Sequence, residues 1–217
     1  MTAADCVWVA GATGLVGSEL LALQPARHVH VLLRRAHALA PGVITHRVDY
    51  ATLDLSALPP PRHAYCALGT TIKVAGSQAA FRAVDFDAVI SFARAAHAAG
   101  AHTFGLVSAM GAAAGSAVFY NRVKGEAEEA LRSLGFHSVV IARPSLLQGD
   151  RQALGQPARP MERLAQALAS PLRAVLPARL RPIEAATVAR ALVRAVQPER
   201  AGVWVLESAE LQELGTA

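Results

Sequence analysis

Lysine is nearly missing from this chain. Lys73 and Lys124 are the only two among 217 residues, so almost all of the positive charge behind a net +5 comes from arginine. Cysteine is as scarce, with Cys6 and Cys66 alone. Two cysteines, each in an apolar run of strand character, cannot build a disulfide framework or a metal-ligand set, so both read as reduced core residues and no metal site is expected. Aromatics make up 5 % of the chain and are not interleaved with the arginines, which removes the stacking platforms that nucleic-acid binders use. The arginines from Arg143 to Arg200 are scattered among acids along helical stretches, where solvated helix faces explain them better than an electrostatic footprint. No basic n-region precedes the apolar N-terminal run, and the expectation is a cytoplasmic protein. The stretch between His102 and Arg122 is uncharged over about the length of a membrane span, but Gly105, Gly111, Gly115, Ser108, Ser116 and Tyr120 interrupt it. A buried strand followed by a loop is expected there, with no membrane contact.

What the chain does have is apolar bulk. Hydrophobic residues are 53 % and charged residues 17 %, a balance that suits a sheet buried on both faces. The length supports one α/β core and is short for two, so residues 1–217 are expected to form a single domain. Strand-length runs recur at Val7–Ala10, Val29–Leu33, Val43–Val48, Ala64–Leu68, Thr103–Val107, Ser138–Ala142 and Val203–Leu206, with helical patterns between them. That alternation predicts βαβ units and a doubly wound parallel sheet with helices on both faces. The clearest helix starts at Ser77 as N-cap and stops at Gly100; a second spans Tyr120 to Leu134 and ends at Gly135. Others are expected over Met161–Ala169 and Glu184–Val196, with Ser208 capping a terminal helix. There is no internal repeat. From Gln148 to Pro182 the chain is rich in Pro, Arg and Ala and loses strand periodicity, so 148–182 is expected as a small loop-and-helix cover over the cleft at the carboxyl ends of the strands.

The run Val7-Trp8-Val9-Ala10-Gly11-Ala12-Thr13-Gly14-Leu15-Val16-Gly17 passes from strand through three glycines into a helical pattern. Glycine takes positive φ, and without a Cβ it lets a pyrophosphate approach backbone N–H groups at a helix N-terminus, where the peptide dipoles favour anions. The spacing is G-x-x-G-x-x-G, and its place after the first strand makes it a dinucleotide cradle. The second strand ends in Leu33-Arg34-Arg35, where a NAD-binding chain commonly carries an acid for the ribose 2′-hydroxyl. Arginine suits a 2′-phosphate, so NADP(H) is expected over NAD(H). Asp49 and Tyr50, after the third strand, sit where the adenine would be bordered. Leu68-Gly69-Thr70 ends the fourth strand, where a glycine permits close approach and a threonine hydroxyl can bond ribose or phosphate; a plain strand-ending turn reads almost as well.

Tyr120 and Lys124 are four residues apart and share one helical face. An ammonium beside a phenol lowers the cost of forming phenolate, so the pair can exchange a proton with a substrate oxygen. Ser108, closing the fifth strand, could hydrogen-bond that same oxygen.

The glycine turn, the strand-ending serine and the Y-x-x-x-K pair together resemble the short-chain dehydrogenase/reductase superfamily over nearly the whole chain. Cys66-Ala67-Leu68-Gly69-Thr70-Thr71, Phe81-Arg82-Ala83-Val84-Asp85, Val107-Ser108-Ala109-Met110-Gly111-Ala112 and Tyr120 through Glu126 are similar to an atypical NAD(P)-binding subgroup related to the Tat-interacting oxidoreductase-like proteins, small bacterial members above all. The resemblance implies a Rossmann-type fold, with Gly11, Thr13, Gly14, Leu15, Val16 and Gly17 around the pyrophosphate and Arg34 and Arg35 near the 2′-phosphate. It implies catalytic roles for Ser108, Tyr120 and Lys124, with Lys124 also on the ribose. Arg143-Pro144-Ser145-Leu146 is similar to the segment whose backbone faces the nicotinamide, which brings Pro144, Ser145 and Leu146 into the cofactor site. Two departures stand out: Ala109 replaces a second serine, and no asparagine completes a proton relay. The implied reaction is hydride transfer between NADP(H) and a small carbonyl or alcohol. The alternative is an NADPH-binding regulator or sensor with little turnover. Oligomeric state stays open, with the helices at Phe81–Ala99 and Tyr120–Leu134 offering faces for a homodimer or a protein partner.

Overall fold

A computed structural model describes residues 6–24, 28–39, 41–149 and 177–216. Strand β1 (Cys6–Ala10) is a run of apolar side chains buried on both sides, and β2 (His28–Leu33) lies parallel to it with Val7 opposite Val29. Outside β2 comes β3 (Ile44–Arg47); on the other side of β1 come β4 (His63–Cys66), β5 (Thr103–Val107) and β6 (Ser138–Arg143). A short parallel pair, β7 (Leu147–Gln148) and β8 (Ile183–Glu184), stands apart from the main sheet, and β9 (Gly202–Glu207) closes it. The order β3-β2-β1-β4-β5-β6-β9, with every neighbouring pair parallel, is the doubly wound topology that the strand spacing predicts.

Both faces of the inner strands are covered, while the edge strands β3 and β9 are largely exposed. Val7, Val9, Val29, Val31 and Val140 pack under helix α1 (Leu15–Ala22) and a later helix over Ala185–Val196. Trp8, Ala10, Leu32, Phe104 and Ile141 pack on the opposite side. That side is roofed by a long element begun by the short α2 (Ile72–Ala75) and α3 (Gln78–Arg82), continued by a π-helical turn (Ala83–Ala88), and finished by α4 (Val89–Ala98). Helix α5 (Phe119–Arg132) completes the layer. Ser77 caps α3 as its position predicts, its hydroxyl accepting from the Ala80 N–H at 3.0 Å, and Gly100 ends α4 in the left-handed region at φ +88. The helix over Ala185–Val196 is α6, and α7 (Ser208–Thr216) ends the described chain.

Several local features differ from expectation. Ser208 is buried and donates to Ser145 Oγ at 2.9 Å instead of capping α7; the Glu207 N–H is met by Glu210 Oε2 at 2.8 Å. The strand expected to reach Leu68 leaves the ladder after Cys66, although the Ala67 N–H still donates to the Ala10 carbonyl at 2.8 Å. The expected helix over Met161–Ala169, and the cover between 150 and 176, lie outside the described residues. The two ends of that cover are stitched together by β7 and β8. Cys6 and Cys66 are buried free thiols, and burial pushes the Cys66 thiol up to about 12. Among the described residues no helix is long and apolar enough to cross a membrane, and the uncharged stretch after His102 begins as β5.

The opposite end of the sheet, away from the strand carboxyl ends, is pinned by charge. Glu199, at φ +50, accepts from Arg62 Nε at 2.6 Å and stands 3.2 Å from His102 Nδ1, while His102 stacks on His137 with ring centres 4.2 Å apart. The Arg62 hydrogen bond holds the Glu199 carboxyl below the usual carboxylate range against the effect of burial.

Candidate active site

The glycine turn is dictated by crowding within the chain as well as by any ligand. Gly11 has φ +84, and a Cβ there would lie 2.4 Å from the Ala67 carbonyl carbon and 2.5 Å from Leu68 N, so β1 and the loop after β4 meet through bare backbone. Gly17 brings α1 down on the same turn: its Cβ would stand 2.1 Å from the Gly11 carbonyl oxygen. Gly14 is different. It caps α1 with no side-chain hydrogen bond, and a Cβ there would touch only the Gly11 oxygen at 3.3 Å and the Ala67 oxygen at 4.0 Å. The first turn of α1 carries no acid. A helix start with no acidic side chain and no side-chain cap suits a pyrophosphate, so the residues present fit a dinucleotide. Thr13 lies half-buried in the turn, and Leu15 and Val16 are buried beneath it. Gly149, beyond β7, passes over Leu15 so closely that a Cβ would come within 2.7 Å of its Cδ2.

Arg34 and Arg35 are exposed at the carboxyl end of β2, and Arg47, also exposed, stands in register with Leu33 on β3. The backbone therefore brings three exposed arginines to one corner of the sheet. Asp49 is exposed and caps a single 3-10 turn, accepting from the Ala51 N–H at 2.9 Å. Tyr50 is buried under β2 and donates its hydroxyl to the Leu32 carbonyl at 3.3 Å; burial pushes its phenol far above the ordinary range. Its ring is a core element.

Tyr120 and Lys124 sit on α5 as the spacing requires. The Tyr120 ring leans on Phe81 with centres 5.3 Å apart, and among the described residues its hydroxyl has no hydrogen-bond partner. Lys124 is buried and its Nζ lies 2.8 Å from Asp85 Oδ1. Burial works to lower the proton affinity of this ammonium, but the charges of Asp85 and Tyr120 outweigh it and hold its pKa above the ordinary value. Asp85 Oδ2 accepts the Thr70 N–H at 2.9 Å, and Gly69, exposed, would place a Cβ 3.5 Å from Lys124 Nζ. Ser108, just past β5, donates its proton to Glu128 Oε1 at 2.5 Å. Glu128 is also gripped by Arg143, with Nη2 to Oε2 at 2.6 Å, and Arg143 reaches on to Glu207 at 3.0 Å. These bonds, led by the one to Glu128, hold the guanidinium above its usual range. Pro144 is buried and its carbonyl accepts the Met110 N–H at 3.0 Å; Ser145 donates to the Arg181 carbonyl at 2.5 Å; the Leu146 carbonyl accepts the Ile183 N–H at 3.0 Å.

Two residues of this site were given no role by the sequence. Asp85 ends the Phe81–Asp85 segment that carries part of the resemblance, but the π turn that aims its carboxylate at Lys124 leaves no local pattern. Glu128 had a signal. It is four residues past Lys124, so Tyr120, Lys124 and Glu128 form a ladder along one side of α5. Among the described residues no group of three or more histidine, cysteine or acidic side chains could hold a metal ion.

A seven-stranded parallel sheet covered by helices, with a glycine turn after β1 at the start of α1, is a Rossmann-type fold. The UDP-glucose 4-epimerase of Thermus thermophilus, solved in complex with NAD, shares that fold with a TM-score of 0.68 and 19 % identity over 96 % of this chain and 81 % of its own. No family model matches the chain. The protein of Chaetomium globosum named "Protein FMP52, mitochondrial" is 30 % identical over 223 residues, 95 % of each chain. "Protein fmp52, mitochondrial" of Emericella nidulans is 36 % identical over 176 residues, 75 % of this chain and 73 % of its own. The chain belongs to the FMP52 family. The cytoplasmic expectation is corrected by these relatives, which are named as mitochondrial proteins.

Proposed function

We propose that the protein is an NADP(H)-dependent oxidoreductase of the short-chain type, of the atypical subgroup related to the Tat-interacting oxidoreductase-like proteins, acting on a small carbonyl or alcohol. One observation carries the reading. Residues 67–69 touch both halves of the site: Ala67 and Leu68 abut Gly11 of the phosphate turn, and Gly69 abuts the Lys124 ammonium. A dinucleotide seated on the turn is therefore continuous with the Tyr-Lys face. The cofactor would supply the hydride. Gly11, Gly14 and the first amides of α1 hold the pyrophosphate; Arg34 and Arg35, with Arg47 beside them, take a 2′-phosphate by bidentate donation. Tyr120 gives or takes the proton at the substrate oxygen, one helical turn from the Lys124 ammonium. Ser108 has spent its proton on Glu128, so its oxygen is left to accept from a substrate hydroxyl.

Tyr120→Phe removes the transferable proton while keeping the ring on Phe81. Turnover of an identified substrate is expected to fall by about 10²–10⁴-fold, with NADPH affinity from a fluorescence titration nearly unchanged. Equal turnover by the variant would refute the role. Arg34→Glu is expected to weaken NADPH while sparing NADH, in side-by-side titrations, because a carboxylate repels a 2′-phosphate and accepts from a 2′-hydroxyl. Loss of both nucleotides alike would remove the phosphate assignment.

The commitment of Ser108 to a buried carboxylate also favours a second reading, a nucleotide-sensing protein with little turnover. Protein that holds NADPH, reduces nothing in a broad carbonyl panel and gains a protein partner on NADPH addition would establish it.

A further inference from the structure

Lys124 is 5 % exposed and Asp85 1 % exposed, which is a deep place for two charges. An ammonium at that depth is tolerated only with a close counter-ion, and Asp85 Oδ1 supplies it at 2.8 Å. The carboxylate is delivered by the π turn Ala83–Ala88, a widening that re-aims one side chain out of an otherwise regular helix. Its second oxygen ties down the Thr70 N–H at 2.9 Å, so one carboxylate joins the roof helix, the loop after β4 and α5. An exposed glycine lies over the pair on the loop side: a Gly69 Cβ would stand 3.4 Å from Asp85 Oδ1 and 3.5 Å from Lys124 Nζ. Those are ordinary contact distances, so a methyl group fits there without moving the chain.

We propose that Asp85 is the positioning residue for Lys124, fixing the ammonium beneath the Gly69 window with one N–H on the carboxylate and two left for ligand hydroxyls. The assignment rests on the nucleotide-binding reading above. Without Asp85, the groups around the amine are the phenol of Tyr120 on α5 and the thiol of Cys66 on β4, with the Arg82–Glu126 ion pair linking α3 to α5 nearby. None of these replaces a carboxylate at 2.8 Å, so burial alone would then act on the amine and lower its proton affinity.

The direction of linkage separates this role from a merely structural one. In the native protein Lys124 holds its proton more tightly than in the unfolded chain, so the stability this group contributes is present below the ordinary 10.5 and is lost as pH rises above it. In Asp85→Asn the order reverses. The unfolded chain binds that proton more tightly, and stability climbs as pH rises toward 10.5.

The experiment compares thermal melts and NADPH fluorescence titrations between pH 7 and pH 9.5 for the wild type, Asp85→Asn, Asp85→Glu and Gly69→Ala. Relative to wild type, the melting temperature of Asp85→Asn is expected to rise across that range by about 4 °C. Its NADPH affinity is expected to fall about tenfold as the amine discharges, since one unit of pKa is a factor of ten. Asp85→Glu should restore both profiles in part. Gly69→Ala should melt as wild type and bind NADPH about tenfold more weakly, a methyl group now closing the window. An Asp85→Asn variant uniformly less stable at every pH, with no pH-dependent loss of NADPH, would overturn the proposal; so would unimpaired binding by Gly69→Ala. If Asp85→Asn fails to fold, Asp85→Glu and Gly69→Ala still decide it, one by rescue and one by access. A wild type that ignores NADPH overturns the nucleotide reading and the ligand half of the proposal with it, while the melts still report whether Asp85 holds the charge.

Discussion

Gly17→Ala is expected to lose about 3 kcal/mol or more of folding stability, read as a drop in the urea midpoint at unchanged slope. Two effects of opposite sign compete at this position. Alanine is the better helix former by about 1 kcal/mol, and Gly17 lies in the third position of α1, so propensity alone predicts a gain. Packing predicts the reverse, because the new methyl carbon would lie 2.1 Å from the Gly11 oxygen and 2.8 Å from Ala12 Cα. Those are backbone atoms, and no rotamer change relieves the clash. The helix must lift off the turn, which also opens the cradle proposed for the pyrophosphate, so on that proposal nucleotide binding should fall in parallel. A variant as stable as the wild type would show that α1 does not seat on Gly11.

Glu128→Ala is expected to cost about 3 kcal/mol, at the lower end of what removing one partner of a buried ion pair takes. Glu128 is almost fully buried and satisfies both Arg143 and Ser108. The lower end applies because the Arg143 guanidinium is partly exposed and keeps Glu207 as a partner. Glu128→Gln should lose less, since an amide oxygen still accepts from Ser108. Chemical denaturation of the two variants checks the order; a Gln variant as unstable as the Ala variant would place the whole cost on charge rather than on the hydrogen bonds.

The inner strands were legible because parallel strands covered on both faces must be continuous apolar runs, and Val7–Ala10, Val29–Leu33 and Ser138–Ala142 leave no alternative of helical period, while the largely exposed edge strands β3 and β9 were legible from their β-branched runs between turns. The glycine turn was legible for a related reason: three glycines at the end of a strand have few uses, and two of them, Gly11 and Gly17, prove to be demanded by backbone crowding. The Tyr120 and Lys124 spacing also carried through. What stayed hidden depends on contacts distant in the chain. Arg62 and Glu199 are 137 residues apart, and nothing local marks either as a partner. The commitment of Ser108 to Glu128 joins a strand end to the middle of a helix, so a serine read as facing substrate proves to be donating inward. Tyr50 borders the expected adenine position in the chain but is drawn under β2, where its ring fills the core and its hydroxyl finds the Leu32 carbonyl. Strands β7 and β8, two residues each, are too short to show any period.

The single wide turn at Ala83–Ala88 has a consequence for how the family can vary in length. It adds one residue to the helical count between Phe81, which is locked against Phe119 and Tyr120, and Phe92 and Ala96, which are locked against the sheet. A chain one residue shorter here can close the bulge to an ordinary α-turn with both aromatic anchors kept in place, whereas a further deletion would rotate one end by about 100° against the other. Homologous chains should therefore come in two lengths across this stretch, and the shorter ones should lack the widening that aims a carboxylate at the amine.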